Sequence, residues 1–195
     1  MQDMKLNRVT EVIIAHGTGG HPRENWFPWL KSELKTKGVS VAIPSFPKPE
    51  KQNLKSWQFA FSEQIGELED GAILVGHSIG CALVLRILEE SNKKARAIFL
   101  VSAWQGLLNS EEFDPLIKTF FDTPFNFEKI RANVEAIYQY HGDNDPYVPL
   151  GMAKELSINL KSKLSVIKAG GHLNEAAGFV EFPLLRDDLF AVLRK

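Results

Sequence analysis

A chain of 195 residues, 44% hydrophobic and 24% charged with a formal net charge of −1, can build a substantial core and carries no signature of disorder or a fibrous fold. Its basic residues are scattered rather than massed, which argues against nucleic acid or an anionic membrane as partner. Cys81 is the one cysteine, so no internal disulfide can form, and no apolar run approaches the ~20 residues of a membrane span.

At the N-terminus, Met1–Arg8 lacks an apolar signal-peptide core, so a soluble, cytoplasmic protein is expected. Val12-Ile13-Ile14-Ala15 is an apolar run without polar alternation, as in a strand covered on both faces. It runs into His16-Gly17-Thr18-Gly19-Gly20, which is neither a phosphate-binding loop nor a dinucleotide fingerprint, because His21-Pro22 follows the glycines. Trp26, Trp29, Leu30 and Leu34 fall at helical spacing, with Asn25 as N-cap and Gly38 as stop. Val39–Ile43 reads as the next strand, followed by a stiff loop with Pro44, Pro47 and Pro49. A helix carries Leu54, Trp57, Phe61, Ile65 and Leu68. Ala72-Ile73-Leu74-Val75 is a third strand, Cys81–Leu88 a helix, and Ala97–Val101 a fourth strand.

Residues 103–134 break this rhythm. Trp104, Phe113, Phe120, Phe121, Phe125 and Phe127 crowd a segment interrupted by Pro115 and Pro124. These aromatics wall a substrate pocket, with Trp104 the candidate pocket residue, or pack a short cap onto the sheet. Ala136–Tyr140 is the fifth strand, Leu150–Leu160 a helix and Leu164–Ile167 the sixth strand. Pro183 opens a closing helix with Leu185, Leu189, Val192 and Leu193 on one face. Six short apolar runs separated by helical connections specify an α/β fold, a doubly wound and mostly parallel sheet with helices on both faces. No linker or repeat divides the chain, so residues 1–195 read as a single domain with 103–134 as a cap-like segment and minimal or no lid.

The chemistry centres on Gly76-His77-Ser78-Ile79-Gly80, a G-x-S-x-G between a strand and a helix. The competing reading is a glycine-rich turn whose serine caps the helix. A nucleophile elbow instead needs glycines two positions either side because the turn brings its neighbours together. A serine becomes nucleophilic only with a histidine base, which in turn needs an acid to fix its tautomer. In the α/β-hydrolase fold these follow in the order serine, acid, histidine.

His172, in Gly170-Gly171-His172, is the one histidine after the last strand. His77 should turn away from its neighbour Ser78, and His16 reads as a loop-fixing residue. Asp143 and Asp145 share one loop; Pro146 restrains Asp145 and favours it as the acid. A metal set of His141, Asp143 and Asp145 lacks any second cluster of histidine or cysteine, and the chemistry calls for no metal or cofactor. Oxyanion donors would be the backbone N–H groups of Ile79 and of the glycine-rich loop, with Thr18 the best candidate.

Trp26-Phe27-Pro28-Trp29, the G-x-S-x-G, Leu100-Val101-Ser102-Ala103-Trp104, Phe125-Asn126-Phe127-Glu128-Lys129-Ile130, Asp145-Pro146-Tyr147-Val148-Pro149 and Gly171-His172 together resemble the small serine hydrolases of the retinoblastoma-binding protein 9 type. The resemblance covers most of the chain and implies an α/β-hydrolase fold with Ser78, Asp145 and His172 as triad. It implies cleavage of a small-molecule ester or thioester, with an aminopeptidase-like amide hydrolase as alternative. A non-catalytic binding module on the same scaffold is a further alternative, although no triad member is missing. Binding to the retinoblastoma protein is not implied, because Ile65–Gly71 lacks the cysteine of the L-x-C-x-E segment.

Overall fold

The computed structural model describes residues 11–194, so the expectation drawn from Met1–Arg8 lies outside the described residues. Strands β1 (Glu11–Ala15), β2 (Ser40–Ala42), β3 (Ile73–His77), β4 (Ala97–Val101), β5 (Ile137–Gly142) and β6 (Lys163–Ile167) form one sheet in the order β2-β1-β3-β4-β5-β6. Every neighbouring pair is parallel. The helices are α1 (Phe27–Lys35), α2 (Leu54–Ile65), α3 (Ile79–Glu90), α4 (Asp114–Ile117), α5 (Phe127–Ala132), α6 (Leu150–Leu160) and α7 (Pro183–Leu193). This is the α/β-hydrolase architecture, doubly wound about β1 and β3.

The unbroken apolar runs follow from two covered faces. Val12 and Ile14 of β1, Ile73 and Val75 of β3, and Ala97, Phe99 and Val101 of β4 pack against α1 and α7. The alternate residues Ile13, Ala15, Leu74, Ile98 and Leu100 pack on the opposite side with α2, α3, α5 and α6. Period-two alternation therefore assigns each strand residue to one of two cores. On α1, Phe27, Leu30 and Leu34 are fully buried, each contributing roughly 1.5–3 kcal/mol of apolar burial. The Tyr140 hydroxyl donates to Asp188 at 2.7 Å, joining β5 to α7.

Register brings the carboxyl ends together. Ala15 pairs with Gly76, His77 with Val101, Val101 with Tyr140 and Gly142 with Ile167. The loops that leave β1, β3, β4, β5 and β6 consequently open on one edge, where ligands of such sheets sit.

Several local expectations need correction. Asn25 does not cap α1. Its backbone is left-handed (φ 52°), Trp26 is the N-cap without a side-chain bond, and the Asn25 carboxamide accepts from the Glu175 N–H instead. Helix α2 stops at Ile65 because Gly66 turns to φ 82°, so Leu68 is buried outside the helix. Helix α3 begins at Ile79, two residues before the expected start. β2 is trimmed at both ends, while β5 runs on to Gly142 and takes His141 into the strand.

Segment 103–134 contains α4, a 3₁₀ turn at Lys118–Phe120 and α5. Ile117, Phe120 and Ile130 are fully buried against the α3 side of the sheet. Arg86 of α3 holds it down. Its guanidinium donates to the Phe120 carbonyl through Nε (3.1 Å) and a terminal nitrogen (3.0 Å), also donates to the Thr123 carbonyl, and lies 4.0 Å from the Phe125 ring centroid.

Candidate active site

Ser78 sits at φ 56° and ψ −130°, a conformation far from the regular wells of an L-residue. The adjacent glycines explain how the chain sustains it. A Cβ at Gly76 would lie 2.7 Å from the Cys81 Cα, and one at Gly80 would lie 2.4 Å from the Ala15 carbonyl oxygen. The turn therefore needs glycine at both positions to let strand, helix and neighbouring strand approach. The Ser78 N–H donates to the Val101 carbonyl at 2.9 Å, and its side chain makes no capping bond to α3. The helix-capping alternative is thus not adopted, and the hydroxyl is left to face the cleft.

His172 is brought to the same cleft by the loop after β6. Its Nδ1–H donates to Asp145 Oδ2 at 2.8 Å, which leaves the Nε2 lone pair bare. The Asp145 side chain is fully buried, and its other oxygen accepts from the N–H groups of Tyr147 (2.9 Å) and Val148 (3.1 Å). Burial pushes this carboxyl up. The hydrogen bond and charge of His172 with the two backbone bonds outweigh that, and its pKa lies below the ordinary carboxylate value. Among the described residues Ser78 Oγ and His172 Nε2 form no direct hydrogen bond, although both line one cleft of about 330 Å³; such contacts often tighten only with substrate bound.

Asp143 and Asp145 are separated by what they hold. Asp143 accepts from the Ala169 N–H at 2.7 Å and Asn144 from the Gly171 N–H at 2.8 Å, so both tether the His172 loop by its backbone. Asp145 alone meets the imidazole. His141 lies 3.7 Å from Asp145, but its Nε2–H donates to the Val148 carbonyl. Among the described residues no three His, Cys, Asp or Glu side chains are grouped to hold a metal.

His16 fixes its loop: Nδ1–H donates to the Gly17 carbonyl (2.8 Å) and Nε2 accepts from the Phe46 N–H (3.1 Å). Burial lowers its pKa to about 4. The His77 ring packs against Trp26 and Phe27 and donates from Nε2 to the His172 carbonyl at 3.0 Å. Burial, then the charge of His172, lowers its pKa to about 3. Thr18 lines the cleft beside Ser78, and a Cβ at Gly17 would lie 2.9 Å from that of Ser78. Neither the Thr18 N–H nor the Ile79 N–H has a hydrogen-bond partner among the described residues. Trp104 also lines the cleft, its indole N–H bonded to the Gly106 carbonyl at 2.8 Å.

The aromatic segment divides between the two roles open to it. Trp104, Phe113 and the non-aromatic Leu108 and Ile117 line the cleft, while Phe120 is buried in the core. Leu108, Ile117 and Tyr147 are lining residues that the sequence reading missed. Tyr147 had a signal, standing two residues after Asp145; its ring meets that of His172 edge-on with centroids 5.0 Å apart.

A family model described as serine hydrolase matches residues 12–191. YdeN of Bacillus subtilis (strain 168), a protein assigned as a hydrolase, is 30% identical over 187 residues, covering 95% of this chain and 97% of that protein. The crystal structure of that gene product superposes with a TM-score of 0.85 over 95% of this chain and 100% of the other. The serine hydrolase RBBP9 of Rattus norvegicus is 28% identical over 166 residues, 84% of this chain and 87% of that protein.

Proposed function

Because the chain belongs to the serine hydrolase family, we propose that it cleaves a small carboxylic ester or thioester through a Ser78–His172–Asp145 triad. The observation that carries this reading is the 2.8 Å bond from His172 Nδ1 to the buried carboxylate of Asp145, beside a cleft that opens on the Ser78 elbow. Ser78 Oγ attacks the carbonyl carbon and His172 Nε2 takes its proton. The Asp145 carboxylate, ionised well below neutral pH, stabilises the imidazolium so formed.

The oxyanion is received by the unpartnered N–H groups of Thr18 and Ile79, the latter at the N-terminus of α3 where the helix dipole favours negative charge. Collapse expels the alcohol or thiol, which takes the proton from His172. Water then attacks the acyl-enzyme with His172 again as base, releasing the acid and restoring Ser78. Trp104, Leu108, Phe113, Ile117 and Val148 give the cleft an apolar wall, which suits a modest apolar acyl group and a carboxylesterase-like preference.

The acid assignment supplies the test. Asp145→Asn should lower kcat on a p-nitrophenyl ester by about 10³–10⁴-fold, because the amide disfavours the tautomer with a bare Nε2. Asp143→Asn keeps an acceptor for the Ala169 N–H and should stay within about fivefold, a loop-tethering bond being worth roughly 1 kcal/mol. The reverse ranking would move the acid to Asp143 and overturn the triad as assigned.

A further inference from the structure

The loop carrying His172 is built on unfavourable backbone. Ala169, Gly171 and Leu173 are all left-handed, at φ 53°, 54° and 51°. A left-handed conformation at a residue with a Cβ persists only where the surroundings over-determine it. Asp143 and Asn144 hold the upstream N–H groups, and the Trp26 indole donates to the Leu173 carbonyl at 3.0 Å.

Between them the carbonyl of His172 itself receives two donors, His77 Nε2–H at 3.0 Å and Ser102 Oγ–H at 2.9 Å. Both come from rigid places, His77 from the last position of β3 and Ser102 from the residue after β4. Ser102 is fully buried and itself left-handed at φ 53°, a conformation that would not be expected of a serine merely filling space. His77 Nδ1 is buried without a partner among the described residues, which fits a ring whose proton is committed to Nε2.

We propose that His77 and Ser102 are positioning residues: they clamp the His172 carbonyl and thereby hold its imidazole between Asp145 and Ser78. The clamp rests on the triad reading above. It links three strand ends into one unit, since the residue before the nucleophile and the residue after β4 fix the base by its main chain. A carbonyl oxygen has two lone pairs, so either donor alone still satisfies it. Loss of both leaves a buried acceptor unpaired at the centre of a strained loop, which then relaxes. The two substitutions should therefore be more than additive. His77 is also suited to a fixed role because it stays uncharged beside the imidazolium that forms on His172.

The test measures kcat and KM for a p-nitrophenyl ester, per folded molecule, in His77→Leu, His77→Gln, Ser102→Ala, the double variant His77→Leu/Ser102→Ala, and His172→Ala. Each single loss of a donor should lower kcat by about tenfold with KM within about twofold, and the double variant should lose well over 100-fold, as expected of coupled neighbours that orient one group. His77→Gln keeps an N–H donor and should recover most of kcat. Full kcat in the double variant, a product no larger than the singles predict, a loss confined to KM, or His77→Gln falling as far as His77→Leu would each overturn the clamp. If the double variant does not fold, the Gln-versus-Leu contrast at 77 decides. Retained activity in His172→Ala would instead mean that the triad reading itself is wrong.

Discussion

Around Ser78 the backbone is fixed by close approach: glycines at 76 and 80 stand where a Cβ would strike Cys81 or the carbonyls of Ala15 and His16. Segment 103–134, which walls the same cleft, is held differently. Its turns are tied down by one buried arginine from α3, bonded to the Phe120 and Thr123 carbonyls and paired with Glu89 at 2.6 Å. The first region is held by close packing of backbone against backbone, and the second by a single side-chain anchor some thirty residues away in sequence. Substitutions that reshape the cleft wall are therefore expected to leave the Ser78 turn in place.

The largest effect should come from breaking the steric region. Gly80→Ala places a methyl 2.4 Å from the Ala15 oxygen and 2.6 Å from that of His16, so β1 and α3 must part. Overpacking of this kind costs about 1–3 kcal/mol or more. Because the displaced strand end leads into the Thr18 loop, kcat should fall by at least about 10²-fold, as for loss of an oxyanion donor. Urea unfolding and ester kinetics together check this; unchanged kcat would detach the loop from the elbow.

A smaller and different effect should follow at the anchor. Arg86→Met preserves bulk but leaves the Phe120 and Thr123 carbonyls without their donor, with Glu89 keeping only its bond from the Asn126 N–H, and should lower unfolding free energy by about 2–3 kcal/mol. KM should rise more than kcat falls, since Ile117 on the cleft wall lies just before the pinned turn. A fall in kcat comparable to that of Asp145→Asn would erase the distinction between the two regions.

Acid should separate them more gently. His16 and His77 have pKa values lowered by burial to about 4 and about 3, and burial lowers that of His141 as well. Unfolded histidine binds a proton near pH 6.5, so stability present above that pH is lost as pH falls toward 4, by up to about 1.4 kcal/mol per pH unit for each histidine. Asp145, whose pKa is also lowered, adds a loss only below about pH 4. Residues 103–134 contain no histidine. Urea midpoints measured from pH 7 to 4.5 should fall, the slope should shrink in His77→Gln, and Arg86→Met should lower the curve without changing its slope. A flat curve for the parent protein would refute the buried neutral histidines.

Local and long-range contacts divide what could be read from the chain. The strands, their order along the chain and the meeting of Asp145 with His172 beside Ser78 were legible, because apolar runs, glycine spacing and Pro146 are local signals. Asn25 was misread as a helix cap because its actual partner, the Glu175 N–H, is 150 residues away. Ser102 belonged to a recognisable stretch, yet nothing local tells that its hydroxyl reaches the His172 carbonyl 70 residues on. Leu108 and Ile117 were hidden among aromatics with stronger claims to a pocket, since packing decides which side chains of an irregular segment face the cleft.

The central claim, that Ser78 is an activated nucleophile, is tested most directly by labelling with a fluorophosphonate probe, comparing the parent protein with Ser78→Ala. Covalent labelling of the parent and none of Ser78→Ala is the predicted result. Equal labelling of both, or of neither, would contradict it.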